Sequence, residues 1–317
     1  MTVVVTGAAG FIGRALVAAL AQRLPSAEIV AVDQSPVDAP GARVLIGNTA
    51  YPQFARSLVE GSVDTVFHLA SLVSGGAEQN FELGTKVNFD ATRDLLEACR
   101  LAGHRPRFVF TSSIAVYGGS LPDPVTDETP PAPRISYGVQ KLMCEMLIND
   151  YTRRGYLDGR SLRLPTIMVR PGSANTAVSG WASAIVREAL AGRNYVCPVR
   201  PDTRMACLSL ARTVDALLRA AQLPSDALEW DRTVLLTGIP VSAEAMWRAV
   251  QRRAGSRSLG QVSFQSDPAL QAVMDVVPRA TRSQRAARLG FAHDPDVDEI
   301  VDEYLLTLPN KGACASQ

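Results

Sequence analysis

The 317-residue chain carries 32 lysines and arginines against 31 aspartates and glutamates, with 47% hydrophobic and 20% charged residues. That length can bury a sizeable core, and the even charge excludes a global field that would draw the chain to nucleic acid or to a membrane, so a small-molecule partner is expected. Five cysteines (Cys99, Cys144, Cys197, Cys207, Cys314) without a C-x-x-C spacing and three scattered histidines (His68, His104, His293) predict reduced thiols, no metal and a cytoplasmic address, with one histidine buried and two at the surface.

The start MTVVVTG lacks the basic segment and long apolar run of a signal peptide or a membrane span, so the mature chain is expected to begin here. Strands are predicted at Thr2–Thr6, Glu28–Asp33, Arg43–Ile46, Val63–Ala70 and Arg107–Thr111, with helices at Phe11–Arg23 and Glu82–Leu101. Short apolar runs alternating with helices imply an α/β fold, a doubly wound parallel sheet covered on both faces. Five prolines in Leu121–Pro133 demand a loop, after which a helix at Tyr137–Tyr151 and a strand at Arg160–Val169 are expected. Beyond Trp181 the elements shorten, with a strand at Thr233–Leu236. The reading is a dinucleotide-binding domain over 1–170 and a smaller substrate-side domain over 171–317, from which some segments could return to the sheet.

Thr6-Gly7-Ala8-Ala9-Gly10-Phe11-Ile12-Gly13 follows the first strand and opens the first helix. Gly7 suits a tight turn, Gly10 a close approach to a pyrophosphate and Gly13 tight helix packing, with the helix start at Phe11 and Ile12 facing the phosphates. Asp33 ends the second strand at the offset of about 20 residues expected of a ribose ligand. Its carboxylate would repel a 2′-phosphate, so NAD is expected over NADP, and Arg14 nearby leaves room for some NADP use.

Tyr137 and Lys141 stand at i and i+4, so a phenol and an ammonium share one helical face, and the ammonium would favour the phenolate. Thr111, Ser112 and Ser113 end the fifth strand, where open α/β sheets bind ligands. A hydroxyl there could hold a reacting oxygen near Tyr137, which would act as the base while hydride leaves for the nicotinamide.

These elements resemble the extended short-chain dehydrogenase/reductase superfamily, which includes NAD-dependent epimerases and dehydratases of nucleotide sugars. The resemblance rests on TGAAGFIG, Asp33, HLAS (His68, Leu69, Ala70, Ser71), Asn88, SSIAVYG and Tyr137-Gly-Val-Gln-Lys141. It implies Ser113, Tyr137 and Lys141 as the catalytic set. It further implies cofactor contacts from Leu69, Ala70, Ser71, Asn88, Tyr137, Lys141, Pro165 and Thr166, with Asn88 supporting the active-site and cofactor region and Thr166 beside the nicotinamide. Gly47-Asn48 stands where the superfamily usually has Gly-Asp beside the adenine, and Asn48 retains an acceptor oxygen.

Dehydratases carry Asp-Glu where this chain has Ser112-Ser113, and the asparagine motif of epimerases after the sixth strand is replaced by RLPTIMVRPGSAN. Over about residues 70 to 210 the chain is most similar to the D-erythronate dehydrogenase subfamily, which implies oxidation of the acid at carbon 2 to 2-oxo-tetronate. A carboxylate substrate calls for a cation, for which Arg170 and Arg204 are the candidates. Ser74, Gly75 and Gly76 after the fourth strand could supply hydroxyl and backbone donors. A sugar epimerase and a non-catalytic dinucleotide-binding regulator are the alternatives, the second disfavoured by the retained Tyr-Lys pair. A homodimer is also expected, since helices 82–101 and 137–151 correspond to those that pair in dimers of this superfamily and their apolar positions Leu83, Val87, Leu95, Met143 and Leu147 could supply both an inner and an outer face.

Overall fold

The computed structural model describes residues 1–172 and 177–309. Cys314 and the SAN of the RPGSAN stretch lie outside the described residues. The strands of the two larger sheets are β1 (Thr2–Thr6), β2 (Glu28–Asp33), β3 (Arg43–Ile46), β4 (Thr65–His68), β5 (Arg107–Ser113), β6 (Asp158–Leu164), β7 (Thr166–Met168), β8 (Arg204–Ser209), β9 (Thr233–Leu235) and β10 (Ile239–Ser242).

The central sheet has seven strands in the order β9-β6-β5-β4-β1-β2-β3, and all of its pairings are parallel. A parallel sheet needs cover on both faces, and the β-branched run Val3, Val4 and Val5 is accordingly buried throughout. Helices α1 (Phe11–Arg23) and α5 (Leu210–Gln222) cover one face through Leu16, Leu20 and Leu217. The other face packs on α2 (Ala91–Ala102) and α3 (Ser136–Arg153) through Leu95, Leu96, Cys144 and Ile148. This is the doubly wound, Rossmann-type arrangement.

A second sheet of three strands, β10-β8-β7, sits on a separate core. There α4 (Gly180–Leu190), α6 (Ala243–Arg253) and α7 (Val297–Leu306) pack Ile185, Met246 and Ile300 together. Strand β9 and helix α5, although late in the chain, belong to the first sheet and its cover.

The predicted strand Arg160–Val169 is two strands in two sheets. Pro165 has no N–H for a ladder, so the chain leaves the central sheet there and β7 pairs with β8. The predicted helix Glu82–Leu101 begins at Phe81 and contains a π-helical turn, Thr85–Asp90, before α2. β4 is shorter than the predicted Val63–Ala70, and after it Leu69 and Ala70 pass beneath Gly7. Within the proline-rich loop Val125–Thr126 pairs with Thr281–Arg282. His68 is buried, His104 and His293 are exposed, and Cys99, Cys144, Cys197 and Cys207 are buried free thiols.

Candidate active site

The strand order reverses between β1 and β4, which opens a crevice at their carboxyl ends. Gly7 turns there with φ +74°, and a Cβ on it would lie 2.7 Å from the Ala70 nitrogen. At Gly13 a Cβ would meet the Gly7 carbonyl at 2.1 Å, so only glycine lets α1 start this close to the turn. The crevice holds a cavity of about 370 Å³ bounded by this turn, by Phe11 and Ile12 at the head of α1, and by Tyr137 and Lys141 opposite. A bare backbone turn and a helix start directed at one cavity fit the pyrophosphate of a dinucleotide.

Buried polar groups fix the turn from below. The Ala70 amide donates to Thr6 Oγ1 at 3.3 Å, which contacts His68 Nδ1 at 2.7 Å, and His68 Nε2 meets Thr92 Oγ1 at 2.9 Å. Thr92 spends its own proton on the Asn88 carbonyl, so His68 donates from Nε2 and accepts from Thr6 at Nδ1. Burial, with the Lys141 charge adding to it, lowers the imidazole to about 3 and keeps it neutral.

Asp33 faces the same turn. Its Oδ2 accepts from the Ala9 amide and its Oδ1 from the Ser35 amide, both at 3.0 Å, which leaves lone pairs for ribose hydroxyls. Asn48 Oδ1 accepts from the Ala50 amide at 2.9 Å, closing a local turn. Leu69 and Ser71 line the cavity, while Ala70 lies under the Gly7 turn and does not. Asn88 is buried. It accepts from Ser71 Oγ and the Leu72 amide, and its own amide donates to the Leu72 carbonyl and to Gln140, so it fixes the loop that carries Ser71.

Successive residues of β5 face opposite sides, which separates the paired serines: Ser112 is buried and donates to Glu145, whereas Ser113 opens toward Tyr137. Ser113 also accepts from the Ala115 amide at 3.1 Å, capping a short turn. Helix α3 starts hard against that turn, where a Cβ on Gly138 would lie 2.0 Å from the Ala115 carbonyl. The glycine beside Tyr137 is therefore what brings phenol and serine together.

Burial pushes the Tyr137 phenol up to about 12, against the Ser71 and Ser113 hydrogen bonds and the Arg170 charge, which pull it down. Lys141 is fully buried and donates from Nζ to the Thr111 carbonyl at 2.8 Å, with Nζ 5.5 Å from the Tyr137 ring centre. Desolvation brings it down to about 8 against the opposing influence of Cys144 and Glu145. The expected lowering of the phenol by this ammonium is thus not the dominant effect; the two serines and Arg170 carry it.

A second cavity of about 120 Å³ adjoins the first, and Ser74, Ser113, Tyr137, Thr166 and Ser179 line both. Its far wall comes from Met205, Val273, Met274 and Val276 to Pro278. Pro165, Thr166 and Arg170 line the larger cavity, and the Arg170 guanidinium lies 5.5 Å from the Phe11 ring centre. Two side chains of α4 hold the Arg170 backbone: Ser183 Oγ accepts its amide proton, and Arg187 donates to its carbonyl.

Arg204 lies elsewhere. It is exposed at the start of β8, paired with Asp123 at 2.5 Å, and lines neither cavity, because strand alternation turns its neighbour Met205 inward instead. Gly75 and Gly76 form part of a short helix, Ser74–Gln79, and also line neither. Sequence reasoning missed Ser179, Ser183, Arg187 and the Val273–Pro278 wall, none of which belongs to a motif.

The pattern described as the NAD dependent epimerase/dehydratase family matches residues 3–227. The chain belongs to this family. Its cofactor is NAD, and the glycine turn and Asp33 are compatible with it. The chain is similar to a D-erythronate dehydrogenase of Cupriavidus necator, 42% identical over 96% of this chain and 98% of that one. It is 36% identical to a D-erythronate dehydrogenase of Haemophilus influenzae, over 96% and 99% respectively. Among solved structures it resembles one described as the nucleoside-diphosphate-sugar epimerase from Agrobacterium tumefaciens. That match has a TM-score of 0.91 and 34% identity, over 96% of this chain and 94% of that one.

Proposed function

We propose that this family member oxidises D-erythronate at carbon 2 to 2-oxo-tetronate. Relatives of that name align along almost the whole chain. The observation that carries the reading is the size of the cavity on the far side of Tyr137, about 120 Å³. Drug-sized ligands occupy roughly 300–1,000 Å³; a nucleotide sugar belongs in that range and a four-carbon acid well below it.

Bound NAD supplies the hydride acceptor. Ser113 hydrogen-bonds the substrate hydroxyl and orients it on Tyr137, which takes its proton as the carbon–hydrogen bond is broken. Arg170, which lines the larger cavity on the other side of Tyr137, is the cation for a carboxylate that reaches from Tyr137 into that cavity, and its charge favours the phenolate. Thr166, at the junction of the two cavities, flanks the reacting carbon.

Incubation with NAD and D-erythronate should yield NADH and an equal amount of a trapped 2-oxo acid. Arg170→Ala should raise KM for the acid by the equivalent of about 1.5–3 kcal/mol. Conversion of a UDP-sugar to its epimer, with no aldonate reducing NAD, would replace this reading by the epimerase one, for which the Agrobacterium tumefaciens structure is the precedent. No helix of the described residues is long and apolar enough to cross a membrane, and we place the enzyme in the cytoplasm as a homodimer.

A further inference from the structure

Glu145 and Arg163 take no part in the chemistry above, yet Glu145 is fully buried and the Arg163 side chain is only 12% exposed. Arg163 grips the carboxylate with two nitrogens, Nη2 to Oε2 at 2.7 Å and Nε to Oε1 at 3.0 Å. Ser112 Oγ donates to Oε1 of the same carboxylate, and Arg163 Nη1 donates to the Tyr117 hydroxyl at 2.7 Å.

The pair therefore joins four segments, each bearing part of the site. Glu145 stands one turn after Lys141 on α3, and Ser112 precedes Ser113 on β5. Arg163 comes two residues before Pro165 on β6. Tyr117 follows the turn that Ser113 caps and lines the smaller cavity. A buried ion pair is a weak source of stability, since desolvation offsets the attraction and an apolar pair of like volume often serves as well. What an apolar pair lacks is direction. A two-pronged guanidinium–carboxylate contact has one preferred geometry and so fixes one register.

We infer that Glu145 is a positioning residue, which through Arg163 and Ser112 locks the strand end bearing Ser113 against the helix bearing Tyr137 and Lys141. The inference rests on NAD-dependent alcohol oxidation at Tyr137 and not on which acid is oxidised. It has an electrostatic consequence. The titratable groups facing Lys141 are Tyr137, Cys144 and Glu145 from its own helix and His68 from β4, with Arg163 behind Glu145; β5 offers the Thr111 carbonyl and the Phe110 ring. His68 is neutral, and the desolvation of Lys141 is opposed by Cys144 and by Glu145, its one facing carboxylate among the described residues. Neutralising it leaves Arg163 uncompensated nearby, and the ammonium should then lose its proton at lower pH.

The experiment compares the parent with Glu145→Gln and Ser112→Ala, each assayed on the aldonate the parent oxidises fastest and titrated with NADH by fluorescence. Both variants should keep the NADH dissociation constant within about twofold. Turnover should fall at least about tenfold in Glu145→Gln and about threefold or more in Ser112→Ala, as expected of a displaced catalytic group. The alkaline limb of the kcat profile should move to lower pH in Glu145→Gln and stay in place in Ser112→Ala. Ser112→Ala removes one hydroxyl and leaves the ion pair standing, so it decides the matter even if Glu145→Gln folds poorly. Parent-like turnover in Ser112→Ala overturns the proposal, as does a Glu145→Gln loss matched by loss of folded protein in that same circumstance. A parent that oxidises another aldonate but not D-erythronate corrects the substrate reading and leaves this comparison intact.

Discussion

Lys141 shows how far catalysis and stability diverge at a single residue. Its ammonium is held at about 8 against an ordinary 10.5, a difference worth on the order of 3 kcal/mol. Below about pH 8 both folded and unfolded chains carry the charge, and the folded state bears the full cost of burying it. Between about 8 and 10.5 the unfolded chain binds more protons, so this residue's contribution to stability improves as pH rises. Lys141→Met should therefore raise the thermal midpoint at neutral pH, with a gain that shrinks toward pH 10, while abolishing turnover. A lower midpoint at neutral pH would show that the Thr111 hydrogen bond outweighs desolvation. Tyr137→Phe, by contrast, should cost roughly a hundredfold or more in kcat and leave NADH binding unchanged. Asp33 is different again, since it holds the glycine turn through the Ala9 amide in addition to its proposed role at the ribose. Asp33→Ser should weaken NAD use and raise the NADP to NAD ratio of kcat/KM, and an unchanged ratio would separate Asp33 from the ribose.

At the scale of elements, the site depends on how closely α3 approaches the turn after β5. The gap is set by Gly138, where an added methyl group would meet the Ala115 carbonyl at 2.0 Å. Backbone cannot yield as a side-chain end can, so Gly138→Ala must push the helix and the turn apart. Overpacking of this kind typically costs about 1–3 kcal/mol. We expect a lowered thermal midpoint together with a kcat loss larger than any change in KM for NAD, because the glycine turn at the other side of the cleft is untouched. Equal losses in both constants would indicate general collapse of the cleft.

On the scale of the whole molecule, part of the exposed apolar surface lies on two neighbouring helical stretches, with other exposed residues such as Trp230 and Leu306 elsewhere. Phe81 and Leu83 are 66% and 45% exposed before α2, and Val139 and Met146 are 42% and 53% exposed on α3. Leu95 belongs to the inner face and is fully buried in the sheet's own core. A twofold pairing of these helices would cover the exposed set. Light scattering at micromolar concentration should give a dimeric mass, and Leu83→Glu with Met146→Glu should give a monomer. A monomeric parent would refute the assembly.

The features legible in the sequence are those whose geometry is contained in one turn or one helix. The glycine turn works because strand, turn and helix follow one another in the chain, and Tyr137 and Lys141 share a face because helices repeat every 3.6 residues. Asp33 could be placed because the length of a strand-turn-helix-strand unit is nearly fixed. Side chains whose partners are distant in sequence were not legible. Arg170 and Arg204 looked alike as cations near strand ends, and only the folded chain gives Arg204 to Asp123 and leaves Arg170 at the cavity. The local turn that Asn48 closes through the Ala50 amide had no signal in the sequence either. The Glu145–Arg163 pair and the Val273–Pro278 wall have no periodicity to reveal them, because their roles arise from packing between elements. Spacing along the chain decided which chemistry is present; long-range packing decided which charges are free to meet a substrate.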